Sequence, residues 1–247
     1  MSASLNASSK GHVDPQQLRL IAFQFAGSNR HAYRLLQREL GRHIELCTFE
    51  LPGRGRRHSE PLLTDLRLLA ADVLPSLVEC AQRGPYALFG HSMGSQLACL
   101  TARLLIERGL PPPRCLIVSA SPAPSRPLLT RRHQLSPNDF LEALRTLGGC
   151  PEELLNDPEL VDLFLPVLRA DFQALETYRA DAGPRLPCPI TMLRGLDDGE
   201  VSRADAEAWQ SETSAGFALH DFPGGHFFLF DRAREVTALL ECAVADL

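Results

Sequence analysis

No apolar run in this 247-residue chain approaches the roughly 20 residues needed to span a bilayer, so no membrane association is expected. The opening stretch Met1-Ser2-Ala3-Ser4-Leu5-Asn6-Ala7-Ser8-Ser9-Lys10 has no apolar core, so no secretory signal is expected. Residues 1–17 read as a short disordered tail ahead of a domain over 18–247. Positive charge is not in excess. The 25 Lys and Arg face 30 Asp and Glu for a net charge of −5, which argues against nucleic acid as a partner. Cys-x-x-Cys is missing. The seven cysteines, Cys47, Cys80, Cys99, Cys115, Cys150, Cys188 and Cys242, are odd in number and mostly in apolar runs. They read as reduced, buried thiols of a cytoplasmic protein, and no spacing suggests a metal site. Neither Gly-x-x-x-x-Gly-Lys nor Gly-x-Gly-x-x-Gly follows a strand, which excludes those phosphate-binding loops. There is no internal repeat and no low-complexity tract.

Hydrophobic residues make up 45%, enough for a sizeable core in one large α/β domain or two small ones. Strands are predicted over 18–25, 43–49, 85–90, 115–119, 189–194 and 217–220, from β-rich apolar runs. Helices are predicted between them, over 30–40, 62–82, 93–108, 203–213 and 231–245. This alternation predicts an α/β fold, a mostly parallel sheet with helices on both faces. Between Ser121 and Cys188 no strand is evident. Nine prolines cut that stretch into short pieces, with amphipathic helices predicted at 138–147, 152–156 and 159–180. An insertion over about 122–187 is too long for a plain connection. It reads as a helical lid that excludes water from a site, in preference to a subdomain with no gating role.

Gly90-His91-Ser92-Met93-Gly94 is a G-x-S-x-G motif between the apolar run Tyr86-Ala87-Leu88-Phe89 and a helix-like stretch over 96–105. A strand, a very tight turn and a helix make a nucleophile elbow, in which the glycines let strand and helix approach. Ser92 then stands at the positive end of a helix, where developing negative charge is favoured. A serine needs a base, and the base an orienting acid, in the chain order Ser, acid, His. His226, in Pro223-Gly224-Gly225-His226-Phe227-Phe228, falls after the last strand and is the candidate base. Asp197 and Asp198 are adjacent candidate acids after the preceding strand, and Asp221 is a weaker third. The oxyanion hole needs two backbone amides: Met93, after the nucleophile, and Ala26, in the loop after the first strand. His91 is expected to pack inside the elbow and His12 to lie in the tail. His31, His43, His58, His133 and His220 are expected at the surface or at strand ends. The basic run Arg54-Gly55-Arg56-Arg57-His58 reads as a solvated loop, or else as an anion contact.

Five blocks resemble the type II (editing) thioesterases of nonribosomal peptide and polyketide synthesis, stand-alone α/β-hydrolases of about this length. They are Phe23-Gln24-Phe25-Ala26-Gly27-Ser28, Leu51-Pro52-Gly53-Arg54-Gly55-Arg56, Leu88 to Gly94, Leu165 to Phe172, and Phe222 to Phe228. The resemblance runs from Leu18 to Leu240 and implies Ser92, Asp198 and His226 as the triad, since Gly195, Asp198 and Val201 match the family's Gly-x-x-Asp-x-x-Val. It implies hydrolysis of acyl thioesters on the phosphopantetheine arm of acyl or peptidyl carrier proteins. It implies no resident cofactor, because the phosphopantetheine belongs to the partner. A monomer is expected. The family's first loop reads Phe-Pro-x-Ala-Gly-Gly-Ser; here Gln24 takes the place of the proline and Ser28 that of the second glycine, with Asn29 next. A general carboxylesterase, an acyltransferase and a non-catalytic binding module on the same fold are the alternatives.

Overall fold

In the computed structural model, six strands form one parallel sheet: β1 (Leu18–Phe23), β2 (Ile44–Cys47), β3 (Tyr86–His91), β4 (Leu116–Ser119), β5 (Ile190–Gly195) and β6 (Phe217–Phe222). The spatial order is β2-β1-β3-β4-β5-β6. The structure describes residues 18–126, 128–181 and 183–245; the tail expected over 1–17 lies outside them. The helices are α1 (Arg34–Glu39), α2 (Leu66–Gln82), α3 (Met93–Glu107), α4 (Pro137–Leu147), α5 (Glu152–Leu155), α6 (Pro158–Thr177), α7 (Arg203–Glu207), α8 (Phe228–Asp231) and α9 (Ala233–Ala245). Among the described residues no helix is long and apolar enough to cross a membrane.

Successive strand residues alternate between two cores, as the two-residue period of a strand requires. Ile21, Phe23, Leu88, Val118 and Met192 pack against α2 and α3. Leu20, Ala22, Phe89, Ile117 and Leu193 pack against α1, α8 and α9. Helices therefore cover both faces, and the central strands are mostly apolar because both their sides are buried, whereas edge strand β6 exposes His220 and Asp221. A third, small core of Phe140, Leu144, Leu155, Leu168 and Phe172 holds α4, α5 and α6 together, between β4 and β5.

Boundaries shift where local chemistry overrides the apolar pattern. α2 starts at Leu66, because the Asp65 carboxylate accepts the Arg67 N–H at 2.6 Å and caps the helix. The helix expected over 203–213 is α7 followed by a 3-10 turn, Ala208–Glu212. The last helix starts early and breaks at Arg232. Pro166 lies inside α6 without ending it; the residue is exposed, where a carbonyl that loses its helical donor can be taken by water.

Candidate active site

A parallel sheet sends every strand's C-terminal end to one edge, so the loops after β1, β3, β5 and β6 meet there. Ser92 falls between β3 and α3 with φ 54° and ψ −121°, a region that non-glycine residues avoid. The strain is held by neighbours. The Ser92 N–H donates to the Ser119 carbonyl at 2.8 Å. The Ser95 hydroxyl reaches the Gly90 carbonyl at 2.8 Å and the Ser119 carbonyl at 3.0 Å. A Cβ on Gly90 would collide with the Gly94 carbonyl, and one on Gly94 with the Phe23 carbonyl of β1. Both glycines are therefore required for this approach of strand to helix.

Of the three candidate acids, the structure brings Asp198 to His226, with Nδ1 and Oδ2 2.9 Å apart and both residues buried. The other Asp198 oxygen accepts the Glu200 N–H at 2.9 Å. Asp197 is exposed and serves through its backbone, its N–H donating to the Gly224 carbonyl at 2.9 Å and tying the two loops together. Asp221 is engaged by Arg194 at 2.8 Å and Arg203 at 3.0 Å. Ser92 and His226 line one cavity, with no direct hydrogen bond between them among the described residues. Ala26 lines the same cavity. Met93 opens α3, so its N–H is one of the helix's first donors, which have no intrahelical partner. Leu144, Leu147, Leu168 and Phe172 of α4 and α6 make the far wall apolar, and Arg132, Glu176 and Glu200 gather at one end.

His91 is fully buried, its Nδ1 2.9 Å from the Ser119 hydroxyl and its ring 5.2 Å from that of His226. Burial, followed by the nearness of His226, pushes its pKa well below the ordinary histidine value. It stays neutral beside the site.

Two expectations are corrected. The basic run is not a solvated loop, and the anions that Arg54 and Arg57 contact are carboxylates of this same chain. Arg54 is buried and bidentate to Asp171 of α6 at 2.6 and 2.7 Å, and Arg57 is bidentate to Asp72 at 2.6 and 2.8 Å; of its long side chains only Arg56 and His58 face out. His133 is not a surface residue: its side chain is 8% exposed and meets the buried Glu176 of α6 at 2.5 Å. Asp171 and Glu176 are the acids that sequence reasoning missed. The signal was a charged residue on the apolar side of an amphipathic helix, as in Leu168-Arg169-Ala170-Asp171-Phe172.

Glu176 gives a pH test. Burial alone would raise its pKa, but hydrogen bonds from the His133 ring and from the backbone N–H groups of His133 and Arg132 outweigh that and hold it below the ordinary value. A depressed folded-state pKa contributes stability above the unfolded value and loses it as pH falls through the folded one. The unfolding free-energy gap between wild type and Glu176→Gln should thus be widest near neutrality and shrink below about pH 4. Urea unfolding across that range measures it; a gap that stays constant would contradict the assignment.

A profile of the thioesterase domain family matches residues 18–244. The chain is 36% identical over 229 residues to linear gramicidin dehydrogenase LgrE of Brevibacillus parabrevis, covering 91% of this chain and 87% of that protein. It is 36% identical over 219 residues to thioesterase PikA5 of Streptomyces venezuelae, covering 89% and 78%. Among solved structures, the type II thioesterase BorB from the borrelidin biosynthetic cluster matches with a TM-score of 0.88 and 36% identity, covering 98% of this chain and 97% of that one.

Proposed function

The chain belongs to the thioesterase domain family and has the α/β-hydrolase fold of its structural neighbours, and on that basis we propose that it hydrolyses acyl groups from the phosphopantetheine arm of carrier proteins in nonribosomal peptide or polyketide synthesis. The supporting observation is one cavity lined by the strained Ser92 and by His226, whose far side is fixed by Asp198. The Ser92 hydroxyl attacks the thioester carbonyl while His226 Nε2 takes its proton. Asp198 keeps the proton on Nδ1 and stabilises the imidazolium. The Met93 and Ala26 amides hold the tetrahedral oxyanion. The carbon–sulfur bond breaks, His226 returns the proton to the departing thiol, and water then releases the acid by the same route. Phosphopantetheine is here part of the substrate rather than a resident group. A single chain suffices, because Ser92, Asp198 and His226 all come from it. The seven free thiols fit a reducing cytoplasm.

The dehydrogenase among the relatives does not suggest hydride chemistry here. The loop after β1 reads Phe25-Ala26-Gly27-Ser28-Asn29, without the glycine fingerprint that seats a dinucleotide. The test compares an acyl-phosphopantetheinyl carrier protein, the matching acyl-pantetheine and a p-nitrophenyl ester, with product analysis. A higher kcat/KM on the carrier-bound thioester, with free acid as product, is expected. Equal or better activity on the free ester would leave a general esterase, and transfer to an amine or alcohol an acyltransferase.

A further inference from the structure

We propose that the buried Arg54–Asp171 pair is a positioning device for the oxyanion loop, aiming the Ala26 amide at the reacting carbonyl. This rests on the reading of Ala26 as an oxyanion donor and adds to it the residues that set its direction.

The argument starts from peptide planes. In a trans peptide the C=O and the following N–H are rigidly coupled and point opposite ways. The Phe25 carbonyl is held by two donors from Ser28, its N–H at 3.1 Å and its hydroxyl at 2.7 Å. The Ala26 N–H shares that plane, so it is turned away from Ser28. The next plane is fixed by the Gly27 N–H, which donates to Asp171 Oδ2 at 2.7 Å. One residue on, the Ser28 carbonyl receives Arg54 Nη1 at 3.3 Å. Ala26 therefore sits between two immobilised planes. Only glycine fits at position 27, because φ is 76° and a Cβ there would run into Leu168 of α6, one turn before Asp171.

The pair also answers a charge problem. Asp171 is fully buried, and a bare carboxylate this close to the loop would oppose negative charge on the substrate oxygen. The bidentate Arg54 guanidinium cancels it, and Oδ2 accepts both Arg54 Nη1 and the Gly27 N–H. A neutral acceptor could hold Gly27, but no lone anion could do so without raising the barrier.

Removing one partner would strand a buried charge, so the test changes both. Arg54→Leu/Asp171→Leu leaves Gly27 without an acceptor. Arg54→Gln/Asp171→Asn keeps an acceptor and no net charge. Hydrolysis of acyl-pantetheine is followed beside two affinities: that of an alkyl boronic acid, which bonds Ser92 and places an oxygen at the oxyanion position, and that of the product acid. The Leu/Leu variant is expected to lose about 10²-fold in kcat with KM within about twofold, and to lose boronate affinity in parallel with product affinity unchanged. The Gln/Asn variant should recover most of that loss. A folded Leu/Leu variant with wild-type kcat overturns the proposal, as does a loss that falls equally on product binding. If Leu/Leu does not fold, hydrogen exchange of the Gly27 amide in the wild-type protein decides: protection supports the proposal, and exchange at the rate of an open loop overturns it. Ser92→Ala separates the two readings, since full activity there would sink the serine mechanism itself and not only its positioning pair.

Discussion

Ser92→Ala is expected to lower kcat for thioester hydrolysis by roughly 10⁶-fold while the protein stays folded. Alanine at this position keeps the same φ of 54° and the same Cβ, so the elbow's strain and its bonds to Ser119 and Gly90 are unaltered. Only one oxygen is lost. On the proposed mechanism no acyl-enzyme can form without it, and residual turnover should come from direct attack by water on a substrate still held by the proposed oxyanion donors. Mass spectrometry of the wild type during turnover should show a gain equal to the acyl group, absent in the variant. The thermal midpoint should barely move. More than about one per cent of wild-type kcat in a clean preparation would remove Ser92 from the mechanism.

His226→Ala is expected to cost about as much, and Ser92→Ala/His226→Ala no more than either alone. In the proposed mechanism the two side chains share one proton transfer, so once either is missing the other should contribute nothing. Independent contributions would multiply to an unmeasurably small rate. His91 cannot take over: its Nδ1 faces Ser119, its ring is fully buried, and its depressed pKa makes it a poor base. Labelling of Ser92 by a fluorophosphonate should slow in His226→Ala by a comparable factor. Near-normal labelling would mean that another group activates the serine.

The parts of this site that follow local rules were legible in the chain. Ser92 is marked by two glycines whose absence of side chains is required by contacts four residues apart and at the end of β1. His226 is marked by its place after the last strand, and the alternation of elements led to the parallel sheet. Asp198 and Asp197 could be separated only by the family pattern, since which neighbour faces the histidine depends on how the loop after β5 closes on Gly224. Pairings across the fold left no local trace. Arg54 and Asp171 are 117 positions apart, so the basic run looked solvated when two of its three arginines are turned inward. His133 was misread for the same reason: its partner, Glu176, lies on another helix.

The small third core divides the helical insertion into parts with different evolutionary freedom. α4 and the loop after it line the chamber through Leu144, Leu147 and Cys150, and α4 seats Phe140 on α6, 5.3 Å from the Phe172 ring with the Arg169 guanidinium 4.7 Å above it. α6 lines the chamber too, but it also carries Asp171 and Glu176. A recombination crossover near Asp157, ahead of α6, would exchange the part of the chamber wall that α4 supplies and leave those carboxylates in their native registers. One placed after Glu176 would import a foreign strut with the foreign wall. Changing the chamber while keeping this fold is therefore best done by exchanging the segment before α6 and leaving α6 with the sheet.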